Sequence, residues 1–187
     1  MTDFRELPRY GVLSIDPSLT GMGVLYCADG SDHAYKEFAS KPAKTLESRI
    51  KRYSTLADNV LEIIKITIPK LCLIEGYAFG AKGASVVTLG EFGGVLRYKL
   101  VGIADLTVEV PPTVLKKFVT GKGNAKKLDV VSALSSKYRI VFSSDNHADA
   151  FGLSRLGLAA LDLLETKNKH EREAVSVVKG LIEREES

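Results

Sequence analysis

Short apolar runs bounded by turn residues recur five times along the chain, and this pattern is typical of β-strands. The runs predict strands at residues 10–15, 22–27, 33–38, 71–74 and 106–110. Turn-forming residues at 16–21 and 28–32 separate the first three runs, so we expect those strands to be antiparallel neighbours. The run at 71–74 is wholly apolar, as in a parallel strand that is buried on both faces.

Apolar positions at helical spacing predict the helices. Between residues 43 and 66 they recur every three or four residues, charged residues occupy the opposite face, and Pro69 follows. Because this helix leads into the strand at 71–74, we expect a βαβ crossover. Further helices are predicted at 84–102, from Thr113, from Asn124, at 145–164 and at 169–185.

The helix predicted at 84–102 is rich in glycine. Gly90, Gly93 and Gly94 each lower the helix propensity by about 1 kcal/mol relative to alanine. We therefore expect this helix to pack closely against a neighbour.

The order of the predicted elements indicates an α/β fold with a five-stranded mixed sheet flanked by helices. A chain of 187 residues with 45% hydrophobic content can bury a sizeable core. We expect one domain over residues 1–187, with its core at about 10–164 and a charged helical extension at about 165–187.

Composition narrows the class of protein only slightly. The net charge of +3 is compatible with an anionic partner and with many others.

Cys27 and Cys72 lie inside apolar runs, so we expect two buried, reduced thiols. No stretch resembles a signal peptide or is long enough to span a bilayer, so we expect a cytoplasmic protein, at the nucleoid or in a phage-infected host.

Three acidic residues stand where chemistry could occur. Asp16 and Glu75 each end an apolar strand, and strands joined by a right-handed crossover end at the same edge of the sheet. Asp149 lies near the start of an otherwise apolar helix, where an unpaired carboxylate would be costly to bury. Taken singly, each has a plainer interpretation: a turn-forming Asp, an exposed acid at a strand end, and an acid favoured by a helix N-terminus.

Carboxylates gathered at one sheet edge would form an oxygen-rich site of the kind that Mg²⁺ and Mn²⁺ prefer. Two such ions about 4 Å apart can activate a water molecule and stabilise the leaving oxygen in phosphodiester hydrolysis. The acids together thus favour a metal-dependent nuclease.

The order of five motifs resembles the RuvC family of Holliday junction resolvases, from about residue 10 to about residue 164. The family's Gly-Ile-Asp-Pro-Gly strand and Thr-Gly-x-Gly turn are similar to Ser-Ile-Asp-Pro-Ser at 14–18 and Thr-Gly-Met-Gly at 20–23. The family's Ile-Glu strand end is similar to 74–75, and its Leu-Gly-x-x-x-Gly helix to 89–94.

Two later segments complete the resemblance. The family's lysine-bearing stretch, which ends in Gly-x-Gly-x-Ala-x-Lys, is similar to residues 115–127. Its closing helix begins with Asp-Ala, as at 149–150. The resemblance implies an RNase H-like fold, a homodimer, and paired nicking of four-way junctions and related branched DNA with two Mg²⁺ ions, for which Mn²⁺ would substitute.

The resemblance also implies a ligand set of Asp16, Glu75 and Asp149, with one position open. Relatives often place Asp or His three residues before the last Asp, where this chain has Asn146. Asp145 shares a helix face with Asp149 and could be the fourth ligand, although it could equally be a helix N-cap. His147, two residues before Asp149, is expected to face elsewhere.

Residues 113–128 contain five lysines and no acidic residue, whereas the rest of the chain is close to neutral. Lysines beside a Gly-Lys-Gly turn can contact phosphates without reading sequence, although a solvated basic face would look the same. By resemblance, two of them would lie nearest the scissile phosphates and act with the acids: Lys116 and Lys127. The other predicted DNA contacts are Lys117, Lys122 and Lys126.

Tyr77 and Phe79 flank the position of an aromatic loop residue that, in the family, wedges into the junction centre. Either ring could stack on an unpaired base, although aromatic residues next to a strand end are often core residues. Two rival functions also stay open: an RNase H-like nuclease with another nucleic acid substrate, and a non-catalytic junction-binding protein.

Overall fold

The computed structural model describes residues 2–30, 32–77 and 84–187. Its centre is a five-stranded sheet in the order β3-β2-β1-β4-β5. The strands are β1 (Val12–Asp16), β2 (Met22–Cys27), β3 (His33–Phe38), β4 (Leu71–Glu75) and β5 (Thr107–Val110). The first three are antiparallel, and β4 and β5 run parallel to β1, which confirms the predicted mixed sheet.

Two layers of helices cover the sheet. One consists of α1 (Leu46–Thr67) and α2 (Ala84–Leu100), and the other of α3 (Pro112–Thr120), α4 (Lys127–Tyr138), α5 (Asp145–Ala160) and α6 (Lys169–Glu185). Leu13 and Ile15 of β1 pack towards α1 and α2, whereas Val12 packs towards α5. Because side chains alternate along a strand, Ser14 and Asp16 lie on the α5 side with Val12.

Several boundaries differ from the predicted ones for local reasons. Strand β1 begins at Val12 rather than residue 10, because Tyr10 has a positive φ of 68° and is exposed. Helix α1 begins at Leu46, where Thr45 and Ser48 form a capping box. Helix α5 ends at Ala160, four residues early, and Asp162 beyond it has a φ of 59°.

The predicted close packing of α2 holds at one of its three glycines. A Cβ added to Gly93 would overlap the hydroxyl of Tyr77, whereas nothing within the described residues lies within 4 Å of such an atom at Gly90 or Gly94. Those two glycines therefore open on to the exposed face of the helix.

Both cysteines are buried and free, as predicted. Among the described residues, no helix combines the length and apolar character needed to cross a membrane.

Candidate active site

Asp16 and Glu75 lie side by side at one edge of the sheet. Each is the last residue of its strand, and β1 and β4 are parallel neighbours with Ile15 opposite Ile74. Both carboxylates are half-buried. The predicted convergence of the two strand ends therefore places one acid directly beside the other.

Asp149 reaches the same edge because α5 lies against the sheet. The buried hydroxyl of Ser14 donates to the carbonyl of Ala150 at 2.7 Å. Further along, a Cβ added to Gly157 would lie 2.7 Å from a methyl group of Val12, so only glycine allows this approach. Ser14 precedes Asp16 by two residues and Ala150 follows Asp149, so this contact brings the two acids together.

The three acids form a compact cluster. One carboxylate oxygen from each of Asp16, Glu75 and Asp149 can be chosen so that all three lie within 4.8 Å of one another. A set of oxygen donors at this spacing suits a hard divalent cation. The residues present therefore fit a magnesium or manganese site.

The electrostatics of the cluster also favour a bound cation. Burial, followed by the neighbouring charge of Asp149, raises the pKa of Asp16 to about 6. Burial and the charges of Asp16 and Asp149 raise the pKa of Glu75 well above its ordinary value, and burial raises the pKa of Asp149. Without a cation, these groups resist carrying three negative charges, and a divalent ion would relieve that repulsion.

Two of the predicted lysines lie at this cluster. Lys116 and Lys127 line the same pocket as the three acids. The Nζ atom of Lys127 lies 3.1 Å from Asp145 Oδ2 and 3.3 Å from Asp149 Oδ2. Burial lowers the pKa of Lys127, but the hydrogen bond to Asp145 and the charge of Asp149 outweigh it, so its pKa is raised and the side chain is a cation.

None of the three residues considered for the fourth ligand belongs to the cluster. Asp145 is exposed and pairs with Lys127, which lowers its pKa, and the N-cap of α5 is Ser144 rather than Asp145. The backbone carbonyl of Asn146 lies against Gly23. His147 is buried and its ring stacks on that of Tyr35 at 3.9 Å, so it faces away, as predicted.

The other three lysines lie away from the pocket. Lys117 forms an ion pair of 2.7 Å with Glu173 of α6. Lys122 lines a separate groove between the α3–α4 turn and the start of α6. Lys126 is exposed immediately before α4. The basic segment therefore divides into two residues at the acids and three on the flanking surface.

Tyr77 lies at the mouth of the pocket but is tied to α2. Its ring lies under the Arg97 guanidinium, with 4.7 Å from the Cζ atom to the ring centroid, and its hydroxyl accepts a hydrogen bond from Arg97 Nη1 at 3.0 Å. Arg97 also pairs with Glu109 on β5. The prediction for Phe79 falls outside the described residues.

A comparison with protein families shows to which family this chain is related. A model described as Crossover junction endodeoxyribonuclease RuvC matches residues 12–154, a stretch that contains all three acids, Lys116 and Lys127. The chain belongs to the RuvC family. The resemblance inferred from the sequence motifs is therefore confirmed.

Two curated RuvC relatives cover most of the chain. The Crossover junction endodeoxyribonuclease RuvC of Caldicellulosiruptor saccharolyticus is 25% identical over 147 residues, which span 76% of this chain and 89% of that protein. The protein of the same name from Prochlorococcus marinus is 27% identical over 151 residues, 79% of this chain and 97% of the relative.

Solved RuvC structures share the fold. The T. thermophilus RuvC in complex with a Holliday junction substrate superposes with a TM-score of 0.65 at 17% identity, over 81% of this chain and 96% of that one. The yeast mitochondrial Holliday junction resolvase Ydc2 gives a TM-score of 0.52 at 11% identity, over 98% and 87%. The predicted RNase H-like fold is thereby confirmed.

This RuvC-family chain also contains site residues that the sequence patterns did not single out. Ser14, which stands where the family motif begins with glycine, binds α5. On β3, Glu37 accepts a hydrogen bond from Ser144, the N-cap of that helix, and the Tyr35 ring stacks on His147 in its first turn. The contacts of Ser14, Glu37 and Tyr35 with α5 and its N-cap join positions more than 100 residues apart, so no local pattern marks these residues.

Proposed function

We propose that this protein is a structure-selective endodeoxyribonuclease that resolves four-way junctions and related branched DNA by hydrolysing phosphodiesters. One observation carries the proposal: Asp16, Glu75 and Asp149 converge within 4.8 Å inside the segment that matches the RuvC family. The T. thermophilus relative binds a Holliday junction substrate, which supports the same class of DNA here.

The metal in this proposal is Mg²⁺, and Mn²⁺ would substitute. Asp16, Glu75 and Asp149 would hold it, because their half-buried carboxylates supply hard oxygen donors at an open pocket. A pair of ions would activate the attacking water and stabilise the leaving oxygen. Asp145, one turn before Asp149, would join the ligand set when Lys127 releases it.

The lysines would place the DNA. Lys116 and Lys127 line the acid pocket, so their ammonium groups would bind the phosphates on either side of the scissile bond. Lys127 already binds two carboxylates at the pocket, and an incoming phosphate would compete for it. Lys117, Lys122 and Lys126 would follow the backbone of the flanking duplex without reading sequence, and Lys117 would contribute less than Lys116 because Glu173 pairs with it.

The aromatic residues after β4 would act differently from one another. Arg97 and Gly93 tie Tyr77 to α2, so this ring would support the pocket mouth and present one face to an unpaired base. A stacking role for Phe79 rests on its position in the sequence.

We also propose a homodimer formed through α2. A stripe at helical spacing runs along the exposed face of this helix and into the turn after it, and within the stripe Val87, Tyr98 and Val101 are 67%, 85% and 69% exposed. Gly90 and Gly94 lie between Val87 and Tyr98, and no atom of the described residues lies within 4 Å of a Cβ added to either, so a second helix could approach closely. Two copies of the active site are what paired nicks in opposed strands require.

The experiment for the catalytic claim separates binding from cleavage. Asp16→Asn keeps the size of the side chain and removes one metal ligand, so cleavage of a synthetic four-way junction in Mg²⁺ should fall by at least ~100-fold. Junction binding in EDTA should stay within about two-fold of the parent protein. Unchanged cleavage by the variant would show that Asp16 is not a ligand of the catalytic metal.

The substrate claim needs a panel of nucleic acids. Four-way junctions, Y-shaped DNA, linear duplex and an RNA–DNA hybrid are offered at equal concentration, and the four-way junction should be cut fastest with paired nicks. Cutting confined to the RNA of hybrids would identify a different nuclease of the same fold. Tight junction binding with no cleavage in Mg²⁺ or Mn²⁺ would identify a non-catalytic binding protein.

A further inference from the structure

The carboxylate of Glu37 joins β3 to the first turn of α5. Its Oε2 atom accepts a hydrogen bond of 2.8 Å from the Tyr35 hydroxyl and one of 2.7 Å from Ser144 Oγ. The Ser144 hydroxyl in turn accepts from the backbone N–H of His147 at 3.1 Å, so it is the N-cap of α5. A charged acceptor makes such bonds stronger than those between neutral groups.

The other oxygen of Glu37 lies over the β1–β2 turn. A Cβ added to Gly21 would lie 2.7 Å from Glu37 Oε1, and one added to Gly23 would lie 2.7 Å from the backbone oxygen of Asn146. The two glycines thus allow Glu37 to lie directly on the turn that follows Asp16 and the first turn of α5 to lie directly on the start of β2.

A ring stack makes this attachment rigid. The Tyr35 ring stacks on the His147 ring with a centroid distance of 3.9 Å and an interplanar angle of 8°. Glu37 holds the hydroxyl of the first ring, and Ser144 holds the backbone N–H of the second residue. Strand β3 therefore contacts the start of the helix through both the Tyr35 ring and the Glu37 carboxylate.

Asp149 lies between this attachment and a second one. The first is at Ser144, and the second is the hydrogen bond from Ser14 to the carbonyl of Ala150. Ser144 and Ala150 are six positions apart, which corresponds to roughly 9 Å along the helix axis. The attachment at Ser144 therefore restrains the helix start from pivoting about Ala150, a movement that would shift Asp149 relative to Asp16 and Glu75.

We propose that Glu37 is a positioning residue for the metal centre. By holding Ser144, it fixes the first turn of α5 so that the Asp149 carboxylate faces those of Asp16 and Glu75 at the spacing one cation requires. This inference rests on the proposed function, because it takes the three acids to be metal ligands. Glu37 itself lies against Tyr35, Gly21 and Ser144 rather than in the acid cluster.

The test measures metal affinity directly. Mn²⁺ binding to the DNA-free protein is followed by electron paramagnetic resonance for the parent, Glu37→Gln and Ser144→Ala. Both variants should bind Mn²⁺ about 10-fold more weakly, since partners that orient a ligand commonly contribute this much. Saturating Mg²⁺ should restore most of the cleavage rate, and junction binding in EDTA should be unchanged.

Two further variants separate positioning from charge and from stability. Glu62→Gln removes the same charge from an exposed residue of α1 whose partner is Lys65, and it should leave Mn²⁺ affinity unchanged. Ser144→Ala removes no charge, so weaker binding there cannot come from lost attraction for the cation. The double variant Glu37→Gln/Ser144→Ala should bind no more weakly than about the worse single variant, because both break one interaction.

Each failure has its own signature. If Glu37→Gln and Ser144→Ala bind Mn²⁺ as the parent does, the positioning role is wrong, whatever happens to their thermal stability. If the parent itself binds no Mn²⁺, or Asp16→Asn binds it equally well, the proposed function fails instead.

Discussion

Asp16, Glu75 and Asp149 hold their carboxylates close together in a half-buried site, and each has a raised pKa. An arrangement of like charges of this kind lowers the free energy of unfolding unless a cation neutralises it. At the residue scale, the site therefore trades stability of the metal-free protein for affinity towards a divalent ion.

Asp16→Asn should for this reason stabilise the metal-free protein. Removing one of three repelling charges should raise the free energy of unfolding at pH 7 in EDTA by about 1 to 3 kcal/mol. Urea denaturation followed by circular dichroism measures the difference. Mg²⁺ should stabilise the parent more than the variant, and a variant that is less stable than the parent in EDTA would contradict this account.

The two adjacent lysines of α3 offer a matched pair. Lys116 lines the acid pocket, whereas Lys117 pairs with Glu173 of α6. Lys116→Ala should weaken junction binding and reduce the slope of log K against log salt by about 0.7 to 0.9. Lys117→Ala should change the slope by less than half as much.

Filter binding at four salt concentrations measures both slopes. Equal slopes for Lys116→Ala and the parent protein would show that Lys116 belongs to a solvated basic surface and does not contact a phosphate. An effect of Lys117→Ala as large as that of Lys116→Ala would show that the ion pair with Glu173 does not divert its ammonium group.

At the scale of elements, α6 is attached to α4 through a buried acid. Glu171 is 3% exposed and binds the Lys137 ammonium at 2.8 Å, the backbone N–H of Lys167 at 2.7 Å and the side chain of Asn168. Burial raises the pKa of Glu171, but these hydrogen bonds outweigh it and lower the pKa to about 2.

Glu171→Gln should therefore destabilise the protein in a pH-dependent way. The folded-state pKa lies below the ordinary value of 4.5, so the carboxylate stabilises the fold at higher pH and this contribution is lost as pH falls from about 5 towards 2. The variant should lose about 1 to 3 kcal/mol at pH 7. Urea titrations at pH 7 and pH 3 should show this deficit shrinking, and a constant deficit would rule out the carboxylate as its source.

The elements also show which features a sequence can reveal. Asp16 and Glu75 could be placed together because they end apolar strands, and parallel strands end at one edge. Glu37 could not be found in this way, because its partner Ser144 is 107 residues away and no local sequence pattern distinguishes Glu37 from other acidic residues in strands. Residue pattern alone likewise did not separate Lys116 from Lys117, which only the family resemblance distinguished, and the ion pair of Lys117 depends on the position of α6.

The sequence alone did not identify the fourth metal ligand, for a related reason. Asp145 and Asn146 both precede Asp149 by one helical turn, and helical spacing alone allows either to face the site. Only tertiary contacts distinguish the two residues: the backbone oxygen of Asn146 lies against Gly23, and Asp145 pairs with Lys127.

At the scale of the whole molecule, the exposed face of α2 should hold two copies together. Tyr98 is 85% exposed within the described chain, so Tyr98→Asp should leave the monomer folded while it breaks an apolar helix–helix contact. Sedimentation velocity should show a dimer for the parent protein and a monomer for Tyr98→Asp.

Val141→Asp supplies the control for this prediction. Val141 is 95% exposed and lies outside α2, so its replacement should leave the dimer intact. A parent protein that sediments as a monomer at ten micromolar or so, or a Tyr98→Asp variant that stays dimeric, would remove α2 as the interface.

We propose that cleavage depends on a metal bound jointly by Asp16, Glu75 and Asp149. Crystals grown with Mn²⁺, and measured at a wavelength where manganese scatters anomalously, test it most directly. We expect anomalous peaks at roughly 2.0 to 2.4 Å from oxygens of these three carboxylates. Manganese bound elsewhere in the crystal, with no peak at these three side chains, would contradict it.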